Sequence, residues 1–108
     1  MESDQPQFGL KPAVIGRMHA VFAHFPEVRQ VILYGSRAKG NFKPGSDIDL
    51  CLEGEGLSTP TLLKIDTALD DLLLPYKIDL SIRAHIDNTE LLSHINRAGI
   101  AFYRRSKE

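Results

Sequence analysis

Two short segments in which apolar and polar residues strictly alternate restrict this fold most: Asp47-Ile48-Asp49-Leu50-Cys51-Leu52 and Lys77-Ile78-Asp79-Leu80-Ser81-Ile82. A period of two is the repeat of an extended strand, whose side chains point alternately to opposite faces of a sheet. Ile48, Leu50 and Leu52 therefore share one face, as do Ile78, Leu80 and Ile82 in the second segment. Asp47, Asp49 and Cys51 point the other way, and so does Asp79. Strands buried on both faces read as continuous apolar runs. These two do not, so helices are expected on one face of the sheet, with the other at least partly open. The open face carries the carboxylates.

The flanking sequence supplies the helices. From about Lys11, the residues Val14, Met18, Val21 or Phe22, and Phe25 fall at helical spacing, with Pro12 in the first turn and Pro26 as a stop. Val31-Ile32-Leu33-Tyr34 is a strand-forming run that ends at Gly35. Gly35 to Gly45 reads as a loop with room for one helical turn. Glu53-Gly54-Glu55-Gly56 ends the first alternating strand. Ser58 or Thr59 can then cap a helix with Pro60 in its first turn and Leu62, Ile65, Leu69, Leu72 and Leu73 as its apolar stripe, closed by Pro75. Asp87 and Glu90 have capping-box spacing for a last helix carrying Leu91, Leu92, Ile95 and Ala98, with Gly99 as its stop. Ile100 to Tyr103 is a final short strand. The expected architecture is α+β: a single small domain over residues 1–108, a mixed β-sheet with helices packed on one face, an ordered core of about residues 10–104 and a flexible tail over residues 1–8.

Composition narrows the function classes. A chain of 108 residues, 43% hydrophobic, has room for one core, and folding removes roughly 65% of its unfolded surface from water. The net charge is −1 and the pI near 6.4, which argues against general nucleic-acid binding through a basic face. Cys51 is the single cysteine and cannot form an internal disulfide. The N-terminal MESDQPQ holds no apolar signal core, and the longest apolar runs are far too short to span a membrane. A cytoplasmic domain is expected. His19, His24, His85 and His94 show no metal-ligand spacing and read as surface or edge residues. Cys51 reads as a small packing residue, and Arg104, Arg105 and Lys107 as a solvated tail.

The chemistry concentrates between Gly35 and Leu50. A glycine turn after an apolar strand brings backbone N–H groups close to whatever lies above the strand's end. With the Ser36 hydroxyl and the nearby cations Arg37 and Lys39, the loop suits a polyphosphate. Asp47 and Asp49 project from one face, close enough to repel each other unless a cation sits between them. Oxygen-only ligation points to Mg²⁺ or Mn²⁺ rather than zinc. Asp79 supplies a third carboxylate from another strand. A phosphate cradle beside three carboxylates is what two-metal nucleotidyl transfer requires, with ions roughly 3.5–4 Å apart. A Walker A loop is excluded, because Gly40 is followed by Asn41, and the Gly-x-Gly-x-x-Gly dinucleotide fingerprint is absent.

Gly35-Ser36, Gly40, Ser46-Asp47-Ile48-Asp49-Leu50 and Ile78-Asp79-Leu80, in this order and spacing, resemble the minimal nucleotidyltransferases of the DNA polymerase β-like superfamily. The resemblance runs from the first helix to Phe102-Tyr103. It implies that Gly35 and Ser36 bind the nucleotide phosphates and that Arg37 and Lys39 occupy basic positions common in the minimal group. It implies that Asp47 and Asp49 hold both metals and that Asp79 ligands the catalytic one, favouring deprotonation of the acceptor hydroxyl. Larger members carry further domains for the acceptor; minimal ones typically pair with a small all-helical HEPN protein encoded beside them. The implied function is antitoxin activity within a hetero-oligomer: Mg²⁺-dependent transfer of AMP from ATP to a HEPN toxin tyrosine. Two alternatives stand beside it. One is a non-catalytic antitoxin that neutralises its partner by binding alone; the other is nucleotidyl transfer to a small molecule or an RNA end.

Overall fold

A computed structural model describes residues 6–105. In chain order the elements are α1 (Pro12–Ala23), β1 (Gln30–Tyr34), α2 (Ser36–Lys39), β2 (Ile48–Glu53), α3 (Thr59–Asp70), β3 (Ile78–Ile82), a 3₁₀ turn over Arg83–His85, α4 (Thr89–Ala98) and β4 (Ile100–Arg104). The strands form a mixed sheet in the order β3-β2-β1-β4, with β2 and β3 parallel and β1 antiparallel to both β2 and β4. This is the expected α+β class.

The alternation sorts the two faces. On one, Ile48, Leu50 and Leu52 join Val31 and Leu33 and pack with Met18 and Phe22 of α1, Ile65 and Leu69 of α3 and Phe102 of β4. On the other, α4 lays Ile95 and Leu91 over Ile32, Tyr34 and Cys51. The expectation of helices on one face thus holds for α1 and α3, while α4 covers part of the opposite face. The strands have too few carboxylates to keep that whole face wet: Ile32 and Cys51 need a cover, and the amphipathic stripe of α4 provides it.

Several local expectations are corrected. α3 ends at Asp70, so Leu72 and Leu73 lie beyond it in a turn closed by bonds from their N–H groups to Leu69 O and Asp70 O. Leu73 takes a positive φ of 57° and is 88% exposed, rather than completing the stripe. Pro75 disfavours a helical conformation in the residue before it, and the chain leaves the helix early. At α4 the N-cap is Asn88, whose side chain accepts from Leu91 N–H at 3.0 Å. The Asp87–Glu90 box is not used: Asn caps as well as Asp, and the sequence offers both side by side. Residues 1–5 of the expected tail lie outside the described residues; just after it, Leu10 exchanges backbone hydrogen bonds with Gln7 and is fully buried. Arg105 is not solvated either. Its guanidinium donates to Phe22 O, Ala23 O, Phe25 O and Val28 O, gathering the carbonyls of the last turn of α1 and of the segment that leads into β1. Arg104 donates to Gln30 Oε1; Lys107 lies outside the described residues. No helix among the described residues is long and apolar enough to cross a membrane.

Candidate active site

Strand register builds the site. Tyr34 pairs with Asp49 across β1 and β2, and Asp49 with Asp79 across β2 and β3. Paired residues share a face, so Tyr34, Asp49 and Asp79 form one row on strands about 4.8 Å apart. The next row, Ile32, Cys51 and Ser81, begins to pass beneath α4. Asp47, two residues before Asp49, is exposed and just precedes β2. The row runs from Tyr34, buried at the edge of α4, through half-buried Asp49 to exposed Asp79. A 350 Å³ groove between α1 and α3 and a 470 Å³ hollow near Glu53 and Arg83 contain none of these residues.

The electrostatics follow from this crowding. Burial, together with the charges of Asp79 and Asp47, raises the Asp49 carboxyl above its usual range. Burial chiefly raises the Tyr34 hydroxyl, against a hydrogen bond with Ser81, and Asp49 and Asp79 add to the rise. Burial pushes the Cys51 thiol up to about 11, which suits the packing role expected of it.

The glycine loop sits directly against this row. Gly35 has φ 80°, a conformation that L side chains rarely adopt. Its carbonyl accepts from Ala38 and Lys39 N–H, and Gly40 N–H bonds to Ser36 O, so the loop holds the single helical turn α2. Ser36 is half-buried and Lys39 exposed.

Arg37 is turned inward. It is 2% exposed; Nε and Nη2 donate to Ser46 O, Nη1 to Phe8 O at 2.8 Å, and Nη2 also to Pro44 O. Its guanidinium carbon lies 5.2 Å from the Phe42 ring centroid and 5.0 Å from that of Tyr76. In this conformation Arg37 ties α2 to the far end of the loop and to the N-terminal segment at Phe8. Its loop-holding role was not legible, because partners at Phe8 and Tyr76 are not visible in local spacing. His94 was also missed. Its Nε2 accepts from Gly35 N–H at 3.2 Å, and its ring meets Tyr34 edge-on at 6.1 Å. The available signal was its place on the Leu91-Ile95 stripe of a helix that covers a sheet.

Among the described residues, no group of three or more His, Cys, Asp or Glu side chains is gathered closely enough to hold a metal ion. The donor chemistry nonetheless fits a hard divalent cation. Asp49 and Asp79 are register neighbours with oxygen donors only, and the charges of Asp79 and Asp47 add to burial in raising the Asp49 carboxyl.

Solved structures share the fold. A chain from a crystal structure described as a toxin-antitoxin with AMP-PNP matches with TM-score 0.69 at 18% identity, over 85% of this chain and 74% of that one. A chain from a tri-AMPylated Shewanella oneidensis HEPN toxin in complex with MNT antitoxin matches at 0.63 and 16% identity, over 86% and 71%. A putative nucleotidyltransferase from Sulfolobus solfataricus matches at 0.53 and 18%, over 95% and 93%. No curated protein shows significant similarity. The family model for polymerase beta nucleotidyltransferases spans residues 17–108, which takes in the glycine loop and all three aspartates. On that match, this chain belongs to the polymerase beta nucleotidyltransferase family.

Proposed function

We propose that the chain transfers AMP from ATP to a tyrosine hydroxyl of a small helical HEPN-type partner and so acts as its antitoxin in the cytoplasm. The register that sets Asp49 beside Asp79 at the mouth of the Gly35-Ser36 loop carries this reading. The fold shared with chains of toxin-antitoxin complexes supports the choice of partner.

Each residue then has a task. The Gly35-Ser36 loop receives the triphosphate through backbone N–H groups and the Ser36 hydroxyl, with Lys39 neutralising charge from α2. Arg37 holds the loop in place. Asp47, Asp49 and Asp79 would hold Mg²⁺, or Mn²⁺ in its place, which when bound lowers the pKa of the attacking hydroxyl and offsets phosphate charge. The acceptor oxygen bonds to the α-phosphorus as the bond to pyrophosphate breaks. The hydroxyl proton leaves on the Asp79 side, at the outer strand, where a partner can approach. A docked partner provides the proximity that an appended domain provides in larger enzymes.

Incubation with α-labelled ATP, Mg²⁺ and the adjacently encoded partner tests this. Label should move to the partner with wild type, and Asp47→Asn and Asp49→Asn should each abolish transfer while leaving the fold intact. Full transfer by both variants would make the carboxylates bystanders. Among the described residues no three His, Cys, Asp or Glu side chains gather into a metal-holding group, which favours a second reading, neutralisation by binding alone. It expects protection without any label.

A further inference from the structure

Gly35 N–H stands just past the end of β1 in a half-buried position, where a backbone donor without a partner is costly. Its partner comes from 59 residues away: Nε2 of His94 accepts at 3.2 Å. The amide donates in this bond, so the ring proton sits on Nδ1. His94 is half-buried on a helix packed against the sheet. The neighbouring Ile95 is buried against Tyr34 and Cys51, and the His94 ring stands at 77° to that of Tyr34. Gly35, by contrast, has no side chain to anchor it, and glycine moves more freely about φ and ψ than any other residue. An acceptor on the packed helix α4 thus holds the glycine side of a peptide whose Tyr34 side is held by the sheet.

We propose that His94 is a positioning residue for the nucleotide loop: it locks the Tyr34–Gly35 peptide so that the loop is already shaped when the triphosphate arrives. This rests on the proposed nucleotidyl transfer only in taking the Gly35-Ser36 loop as the phosphate site. It also makes α4 a handle on that site. Any shift of α4 over the sheet reaches the loop through one hydrogen bond.

The test compares wild type with His94→Phe, which keeps a ring beside Tyr34 but has no acceptor, His94→Leu, which has neither, and His94→Gln, whose side-chain carbonyl can accept. Amide hydrogen exchange at Gly35 should speed up about ten-fold in the Phe and Leu variants, the loss expected for one hydrogen bond. ATP affinity, measured calorimetrically with Mg²⁺, should fall by a similar factor, and His94→Gln should recover part of both. Where transfer is assayed, KM for ATP should rise while kcat changes little. Unchanged Gly35 exchange or unchanged ATP affinity in a folded Phe or Leu variant would overturn the proposal, as would a wild type that binds no ATP. If wild type binds ATP but transfers nothing, the transferase reading fails while the affinity shift still upholds His94.

Discussion

Gly35 lies flush against Asp49: a methyl group added at position 35 would collide with Asp49 Oδ2, and the Gly35 φ of 80° already disfavours any side chain. The loop and the central carboxylate therefore fit together only because residue 35 has no Cβ. Gly35→Ala should lower stability by about 1–3 kcal/mol, the usual cost of a residue held in an unfavourable region. It should also abolish transfer, because either the loop or Asp49 must move. Urea denaturation and the labelled-ATP assay check both halves. Wild-type stability and rate in this variant would mean that the two elements are not in register contact in solution.

The raised Asp49 carboxyl has a signed consequence for stability. A carboxyl that titrates higher in the folded than in the unfolded chain gives its full stabilisation below the unfolded value. It loses that stabilisation as pH rises through the folded one. Cation-free protein should therefore lose stability across the carboxylate range on account of this group. At neutral pH, Asp49→Asn should melt a few degrees higher than wild type without divalent cation, and Mg²⁺ with ATP should raise the wild-type melting temperature. Thermal melts from pH 4 to 8, with and without Mg²⁺ and ATP, read this out. A lower melting point for cation-free Asp49→Asn would contradict it.

Arg37 should matter through the fold before it matters through the reaction. Arg37→Met leaves carbonyls of Phe8, Pro44 and Ser46 without their donor and should cost about 2–4 kcal/mol. Arg37→Lys should restore little, because an ammonium cannot reach several carbonyls in a planar fork. Chemical denaturation measures both, and a Met variant within about 0.5 kcal/mol of wild type would refute the loop-holding role.

Cys51 is fully buried, with its thiol titrating at about 11. Since the thiolate is the reactive form, native protein at pH 7.5 should resist a thiol-alkylating reagent for hours and label within minutes once unfolded in urea. Rapid labelling of the native chain would mean that α4 does not stay seated on Cys51.

The two alternating strands were legible because a period of two assigns each side chain to a face without further information. Asp49 and Asp79 came out on one face for that reason. Their adjacency was not legible: it depends on parallel pairing of β2 with β3, which strand periodicity does not encode. The same limit explains Arg37, read as a cation of the phosphate loop, and Arg105, read as part of a solvated tail; both collect carbonyls from other segments. His94 shows it most plainly. Its function-side contact is to a residue 59 positions away, through a helix whose stripe showed that it covers something but not which end of the sheet.

If the Tyr34–Asp49–Asp79 row serves an AMP transfer whose acceptor a partner brings, intact-mass spectrometry of the helical partner after co-expression will read it. Wild type should leave the partner heavier by one or more adenylyl groups, and Asp79→Asn should leave it unmodified while the two still co-purify, because the variant loses a single exposed carboxylate at the outer strand. A partner that stays unmodified with wild type, yet is neutralised in a stable complex, would contradict the account.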